Sequence, residues 1–195
     1  MDPINILVGI NLLATLGANL GGAKKGIINT PAVVVDRPRT YLQSIPPNVA
    51  VVILVFIILS IFQVGTLDYK KFTSHNSLRI FGLFLYVAFS WFQIWAYKAL
   101  GDNYSQDIQI KKNQILITSG PFKYIRHPQY LGQILADLGA SMALLSYIVM
   151  PLVLFLEIPL IVLRAIEEER LLAKHFREKF DNYRKKTGFL LPFIG

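Results

Sequence analysis

Charge is absent from this chain over stretches long enough to cross a membrane. No residue between Asp2 and Lys24 is charged, none between Arg39 and Asp68, and none from Ile80 to Tyr97. A helix needs roughly 20 apolar residues to span the hydrocarbon core, and there every backbone N–H and C=O must be satisfied within the protein. These stretches therefore predict membrane-crossing helices. Composition agrees: 53% of the 195 residues are hydrophobic and 16% charged, against about a quarter charged in soluble domains. A soluble globular enzyme and a disordered chain both fit poorly. Cysteine is absent, which removes disulfides, zinc thiolates and a cysteine nucleophile. The net charge of +8 reads as basic loops on one membrane face, not as a nucleic-acid surface.

The first stretch contains Gly9, Asn11, Gly17 and Asn19, which suit helix packing better than lipid exposure. No Lys or Arg precedes it, which argues against a signal peptide. The second is densest from Val49 to Val64, with Pro46 and Pro47 at its start, and the third is rich in Phe and Trp. A fourth, Pro128 to Leu163, carries only Asp137 and Glu157. It is too long for one span and predicts two joined by a tight turn near Ser146 and Tyr147. Its two carboxyls read as helix-packing hydrogen-bond partners or protonated acids.

Basic residues decide the count. Four Lys and Arg lie between the first and second spans, three after the second, five after the third and eight from Arg164 onward. Five spans divide them 17 against 3 between the two faces; four spans divide them 9 against 11. The bias of Lys and Arg toward the cytoplasm selects five. The expected fold is all-α: a multi-pass integral membrane protein of about five transmembrane helices, in a cell membrane or the endoplasmic reticulum. The N-terminus is then outside or lumenal and the tail cytoplasmic. A cytoplasmic pocket is expected between the loop before and the tail after the last helical hairpin. Residues 1–100 form three N-terminal helices with their loops, and 101–195 the catalytic region. His75 falls on the face opposite His127 and His175, so the three histidines share no metal, and none is expected.

Three features carry possible chemistry. Gly120 to Gly132 is a polar, aromatic run (Gly-Pro-Phe-Lys-Tyr-Ile-Arg-His-Pro-Gln-Tyr-Leu-Gly) leading into a helix. Pro128 suits that helix's first turn, and the helix start favours an anion. Interfacial anchoring by Tyr, Arg and His is the competing reading. Second, Arg164 has Glu167 and Glu168 three and four residues on, neighbours on a helix surface. Ionisable groups near the bilayer are functional candidates, so Arg164 and Glu167 are candidate catalytic residues. Glu169 and Arg170 read as the start of a solvated helix. Third, Arg170 to Lys186 alternates apolar and charged residues at helical spacing. Such an amphipathic helix lies along the membrane, the commoner case, or folds back over a cofactor. No dinucleotide, phosphate-loop or Gly-x-Ser-x-Gly motif is present.

From about Asn103 to the C-terminus the sequence resembles the isoprenylcysteine carboxyl methyltransferase family. The resemblance rests on Thr118-Ser119-Gly120-Pro121-Phe122 with Arg126 to Gly132, on Arg164 with Glu167-Glu168-Glu169, and on Phe180, Tyr183, Lys185 and the ending Thr187-Gly188 to Pro192-Phe193-Ile194. It implies a membrane enzyme of five or more helices that uses S-adenosylmethionine and releases S-adenosylhomocysteine. It further implies that Gln109, Gln114, Ile115, Leu116, Ile117, Phe122, Tyr124, His127, Pro128, Gln129 and Tyr130 line the cofactor. By the same resemblance Glu168 holds the cofactor's amino group and Arg164 contacts the substrate. The partner implied is a prenylated cysteine or prenylated protein C-terminus, taken from the membrane lipid. The first two helices carry no family motif.

The chemistry is consistent with this implication. A terminal carboxylate, with a reference pKa of about 3.3–3.7, is already a nucleophile at neutral pH and needs no general base. What remains is in-line positioning and desolvation. Arg164 can pair with the carboxylate, and the faces of Phe122 and Tyr130 suit adenine or a cation. The runner-up is a membrane methyltransferase acting on a phospholipid amine headgroup or other small lipid acceptor. An ammonium must lose a proton first, so Arg164 is electrostatically misplaced for that acceptor. A nicotinamide-dependent sterol reductase and a structural or transport helix bundle whose polar face binds lipid are more distant readings.

Overall fold

The computed structural model describes residues 2–28 (19–28 as backbone only), 33–68, 70–71, 76–192 and 194–195. His75 and Phe193 lie outside the described residues. Among the described residues seven α-helices follow in order: α1 Pro3–Ile28, α2 Ile45–Ile61, α3 Asn76–Leu100, α4 Pro128–Leu144, α5 Val149–Leu152, α6 Ile158–Phe176 and α7 Glu178–Arg184. A π-helical turn, Val153–Glu157, joins α5 to α6, so 149–176 run on as one helix. Pro159 explains the turn: lacking an N–H and crowding the carbonyl four residues back, it cannot continue a regular ladder. The chain instead bonds Ile158 N–H to Val153 O, five residues back.

Three of these helices are long and apolar enough to cross a membrane: Tyr41–Ile61, Asn76–Asn103 and Val149–Phe176. The described apolar part of α1, Pro3–Ala18, is shorter, and α4 has 17 residues. Large apolar side chains cover the outside, including Ile10, Leu13, Val51, Phe84 and Phe155. Such a surface in a monomer marks contact with something apolar, here the lipid.

The last hairpin turns where the sequence predicts. Leu145 takes the left-handed conformation (φ 52°) and caps α4. Ser146 Oγ then accepts from Val149 N–H at 3.2 Å and donates to Gly65 O at 3.2 Å. The π turn divides the returning helix, a feature with no sequence signal beyond Pro159.

Hydrogen bonds hold α1 to its neighbours, as its Asn content predicts. Asn11 Nδ2 donates to Ser90 Oγ at 3.0 Å and accepts from Trp91 Nε1 at 3.0 Å, while Asn5 Nδ2 donates to Ile61 O. Beside them Arg79 donates to both Asp2 oxygens, at 3.1 and 2.6 Å. Burial raises the pKa of the Asp2 carboxyl, but the Arg79 guanidinium and the Ile4 and Asn5 amides outweigh it and hold the value below the usual range.

α3 and α4 pack closest, because glycines let their backbones meet. A Cβ on Gly139 would lie 2.5 Å from Tyr86 N and 2.7 Å from Gly82 O; one on Gly82 would lie 2.6 Å from Ala143 N. Gly139→Val therefore must push the helices apart, and overpacking costs about 1–3 kcal/mol where side chains can give. Backbone cannot give, so we expect the upper end or beyond, read as a lowered unfolding midpoint in thermal denaturation of the lipid-reconstituted protein.

The connections sort into two ends. Thr66 bridges Ser146 at one. At the other lie residues 33–44, 101–127 and the tail, the segments in which the sequence concentrates its Lys and Arg. Two short strands lie there, β1 Val34–Asp36 and β2 Ile110–Lys111, antiparallel. The all-α expectation thus gains one small sheet. Neither β2, in the loop before α4, nor its partner at 34–36 carries a strand signal in the sequence.

The tail departs from the expected single helix. It breaks at Arg177 (φ 48°), so α7 turns back. Gly188 pairs with Ile125 in a parallel bridge, and Arg126 N–H and His127 N–H donate to Gly188 O and Phe189 O. Phe180 is buried. Once the chain reverses, this apolar stripe finds protein to cover it instead of the membrane surface.

Candidate active site

At this end lies a cavity of about 510 Å³, within the range of small-molecule sites. Its floor and one side come from the loop 103–117, the start of α4, and α6 with the tail. The expected pocket used only the loop and the tail. The observed one also takes Gln93 and Tyr97 from α3, and Pro46, Pro47, Ala50, Val51 and Leu54 from α2. Pro46 and Pro47 occupy the first turn of α2, where a missing N–H costs nothing. That apolar stripe of α2 reaches the outer surface, with Val51 59% exposed.

Arg164 stands at the junction of the polar and apolar halves, 5% exposed. Its Nε donates to Tyr130 Oη at 2.8 Å and to Glu168 Oε1 at 3.2 Å. One terminal nitrogen donates to Leu42 O at 2.9 Å and the other to Gln106 O. Four acceptors from four segments satisfy a charge that burial would otherwise make costly. The carbonyl of Leu42 is available because Gln43 is fixed: its Nε2 donates to Ile108 O and its Oε1 accepts from Ile108 N–H, both at 2.9 Å. Tyr130 in turn donates its hydroxyl proton to Glu168.

A second charged cluster lies beneath. Arg126 Nε donates to Glu169 Oε1 at 2.6 Å, and its NH1 reaches the carbonyls of Arg184 and Thr187. His127 Nε2 lies 3.2 Å from the same Glu169 oxygen, and its ring stacks on Tyr130 with centroids 5.5 Å apart. Arg126 therefore ties the tail to the start of α4. Tyr183 completes the tie by donating to Phe122 O at 2.7 Å, and burial pushes its phenol up to about 12. It remains a donor throughout the physiological range. Burial likewise raises the Tyr104 phenol at the cavity mouth.

The cavity gathers Gln109, Gln114, Ile115, Leu116, Ile117, Phe122, His127, Gln129, Tyr130, Arg164 and Glu168. The loop holds itself in shape: Gln109 Nε2 donates to Ser105 Oγ, Lys111 N–H to Gln114 Oε1, and Ile115 N–H to Asn103 Oδ1. Three expected site residues lie outside its lining. Pro128 is buried behind it in the first turn of α4. Tyr124 is 55% exposed on the outer surface. Glu167 points away and pairs with Arg170 at 3.1 Å, because one residue on a helix turns a side chain by about 100°. The helix start is also less open to an anion than expected, since His127 N–H is taken by Phe189 O.

Sequence reasoning missed Glu169 and Arg126 as partners; the acidic run marked them only faintly. It also missed Gln93, Tyr97 and Gln133. Gln129 and Gln133, spaced i and i+4 on an otherwise apolar helix, were the available signal. Asp137 and Glu157 face each other between α4 and the π turn, and Gln133 Nε2 donates to Glu157 Oε1 at 2.7 Å. The expectation of helix-packing hydrogen bonds is met at Glu157.

Helices fit to cross a bilayer, with a cavity lined by both polar and apolar side chains at one end, define an integral membrane protein. Residues 82–174 match the family described as the isoprenylcysteine carboxyl methyltransferase (ICMT) family, so the resemblance read from the sequence is shown over that stretch. The protein-S-isoprenylcysteine O-methyltransferase of Schizosaccharomyces pombe is 30% identical over 96 residues, 48% of this chain and 41% of that one. The Xenopus laevis protein of the same name is 28% identical over 141 residues, 68% of this chain and 47% of that one. A methanethiol S-methyltransferase of Crocosphaera subtropica is 35% identical over 74 residues, 38% and 28% of the two chains. The chain thus spans less than half the length of these curated relatives. In fold it is similar to the eukaryotic intramembrane Ras methyltransferase ICMT, with a TM-score of 0.59, 22% identity, and 76% of this chain and 52% of that one covered.

Proposed function

We propose that this protein transfers a methyl group from S-adenosylmethionine to the C-terminal carboxylate of an isoprenylated cysteine, leaving a methyl ester and S-adenosylhomocysteine. One observation carries the reading: a single cavity joins Arg164 and Glu168 to the apolar, outward-reaching wall of α2. A soluble cofactor and a lipid-borne acid need such a meeting place.

The residues present fit the cofactor. Glu168 offers a carboxylate for an ammonium, Phe122 and Tyr104 offer aromatic faces, and the volume suffices. When bound, S-adenosylmethionine supplies a sulfonium methyl group open to in-line attack. The chain's own part is positioning. Arg164 orients the acceptor carboxylate and keeps it ionised, so no base is needed. The loop 103–117 and the folded-back tail exclude water, which strengthens both charge contacts. Ala50, Val51 and Leu54 receive the prenyl chain, which arrives laterally from the bilayer.

The proposed topology keeps five crossings, with α1 and α4 joining the three long apolar helices, the N-terminus outside or lumenal and the cavity cytoplasmic. Its support is the sorting of basic loops to the cavity end. A catalytic region of 101–195 keeps most of the cavity, with α2 and α3 added as its acceptor wall.

The test uses purified protein in lipid, methyl-labelled S-adenosylmethionine and a farnesylated cysteine acceptor. Alkali should release the organic-phase label as volatile methanol, the mark of a methyl ester. The similarity to a methanethiol S-methyltransferase favours a second reading, methylation of a thiol, and its thioether product keeps the label in alkali. Alkali-stable label in lipid without added acceptor marks an amine headgroup instead.

A further inference from the structure

The lipid-facing half of the cavity carries more polarity than a prenyl slot requires. The cavity that the α2 stripe lines also carries three carboxamides, Gln93 on α3 and Gln129 and Gln133 on α4. Uncompensated amides beside hydrocarbon cost several kcal/mol, so each calls for a partner. Gln93 has one in the hydroxyl of Tyr97, at 3.2 Å. Gln133 has one on its nitrogen side, where Nε2 donates to Glu157 Oε1 at 2.7 Å. That bond fixes the amide's orientation and leaves its carbonyl oxygen as the group free to accept from the cavity. Gln129 is 8% exposed, and its carbonyl oxygen is buried without a hydrogen-bond partner among the described residues.

Placement makes this patch specific. Gln129, Tyr130 and Gln133 lie on neighbouring turns of one face of α4, with Cβ atoms about 5–6 Å apart at spacings of three and four. Tyr130 touches Arg164 at 2.8 Å. Gln133 thus lines the same cavity as Arg164, one helical turn along α4 from the tyrosine that Arg164 holds. On a cysteine acceptor, the hydrogen-bond donor nearest the carboxylate is the nitrogen on the carbon that bears it.

Resting on the function proposed above, we propose that Gln133, held by Glu157 and flanked by Gln129, accepts a hydrogen bond from the amide N–H of the acceptor's own cysteine, and so selects N-acylated, peptide-like lipid thioether acids over simple ones. Glu157 is the positioning residue: it touches Gln133, not the acceptor. The π turn brings it there by rotating the helix relative to a regular ladder, so a feature of backbone geometry serves the choice of substrate.

The test compares kcat/KM for two acceptors, N-acetyl-S-farnesylcysteine and S-farnesyl-3-sulfanylpropionate, which keeps the lipid, sulfur and carboxylate but lacks the amide. The wild-type protein should prefer the first about tenfold, the worth of one neutral hydrogen bond, with the difference in KM. Gln133→Leu should bring the ratio to within about threefold of one. Gln133→Met, unbranched and similar in length, is the second variant, and cofactor affinity shows that each is folded. A merely structural role lowers both acceptors together and leaves their ratio in place, which overturns the inference. Wild-type turnover with no preference overturns it too, while leaving carboxyl methylation standing. No turnover of either acceptor, with the cofactor bound, overturns the functional reading and this inference with it.

Discussion

Arg164→Ala is expected to lower kcat/KM for a farnesylated cysteine acceptor about a hundredfold or more, and to do so mainly through the acceptor. Removing one member of a buried, hydrogen-bonded charge pair costs about 2–5 kcal/mol, and each 1.4 kcal/mol is tenfold. Two things are lost at once: the guanidinium proposed to hold the carboxylate, and the brace that ties Leu42, Gln106, Tyr130 and Glu168 together. Arg164→Lys separates them. It restores the charge, but a single ammonium cannot serve four acceptors in four directions, so a loss of at least about tenfold should remain. Methyl-ester formation in lipid, alongside cofactor affinity by calorimetry, is the measurement. Equal losses in cofactor and acceptor binding would move Arg164 from the acceptor's side of the cavity to the cofactor's.

Glu168→Gln should raise the cofactor's dissociation constant about ten- to a hundredfold, the range for a hydrogen bond to a charged group. The substitution keeps size and shape, so Tyr130 and Arg164 can stay where they are. It removes only the negative charge that an ammonium needs. Calorimetry with S-adenosylmethionine and with an analogue lacking the amino group provides the check: the variant should bind the two alike. Glu167→Gln, one residue earlier, should change cofactor affinity far less, because that side chain pairs with Arg170 outside the cavity. If the two substitutions have the same effect, the orientation of α6 is not what sets the site.

Much of the cavity's lining is legible in the sequence, and the reason lies in what motifs encode. Phe122, His127, Gln129 and Tyr130 sit within nine residues, and Arg164 and Glu168 sit one helical turn apart. Local spacing alone sets their relation. Tyr124 and Glu167 show the limit of that reasoning, since membership of a motif does not say which way a side chain points. Glu169, taken from the sequence as part of a solvated helix, is instead bound to Arg126, 43 residues away. No periodicity announces such a pair.

The membrane-crossing stretches, the turn at Ser146 and the division of basic loops between two ends follow from the sequence by itself. Hydropathy and charge act residue by residue against a fixed solvent, lipid or water, so a linear reading suffices. Tertiary structure alone decided the rest. The carbonyl that Arg164 needs comes from Leu42, 122 residues earlier, and an apolar wall of the cavity comes from α2, which carries no motif. The tail covers the cavity because Arg177 breaks the helix and sends Phe180 inward. Each of these depends on which backbone groups are left unsatisfied after helices form, and on which apolar faces are left uncovered. Those quantities exist only once the chain has packed.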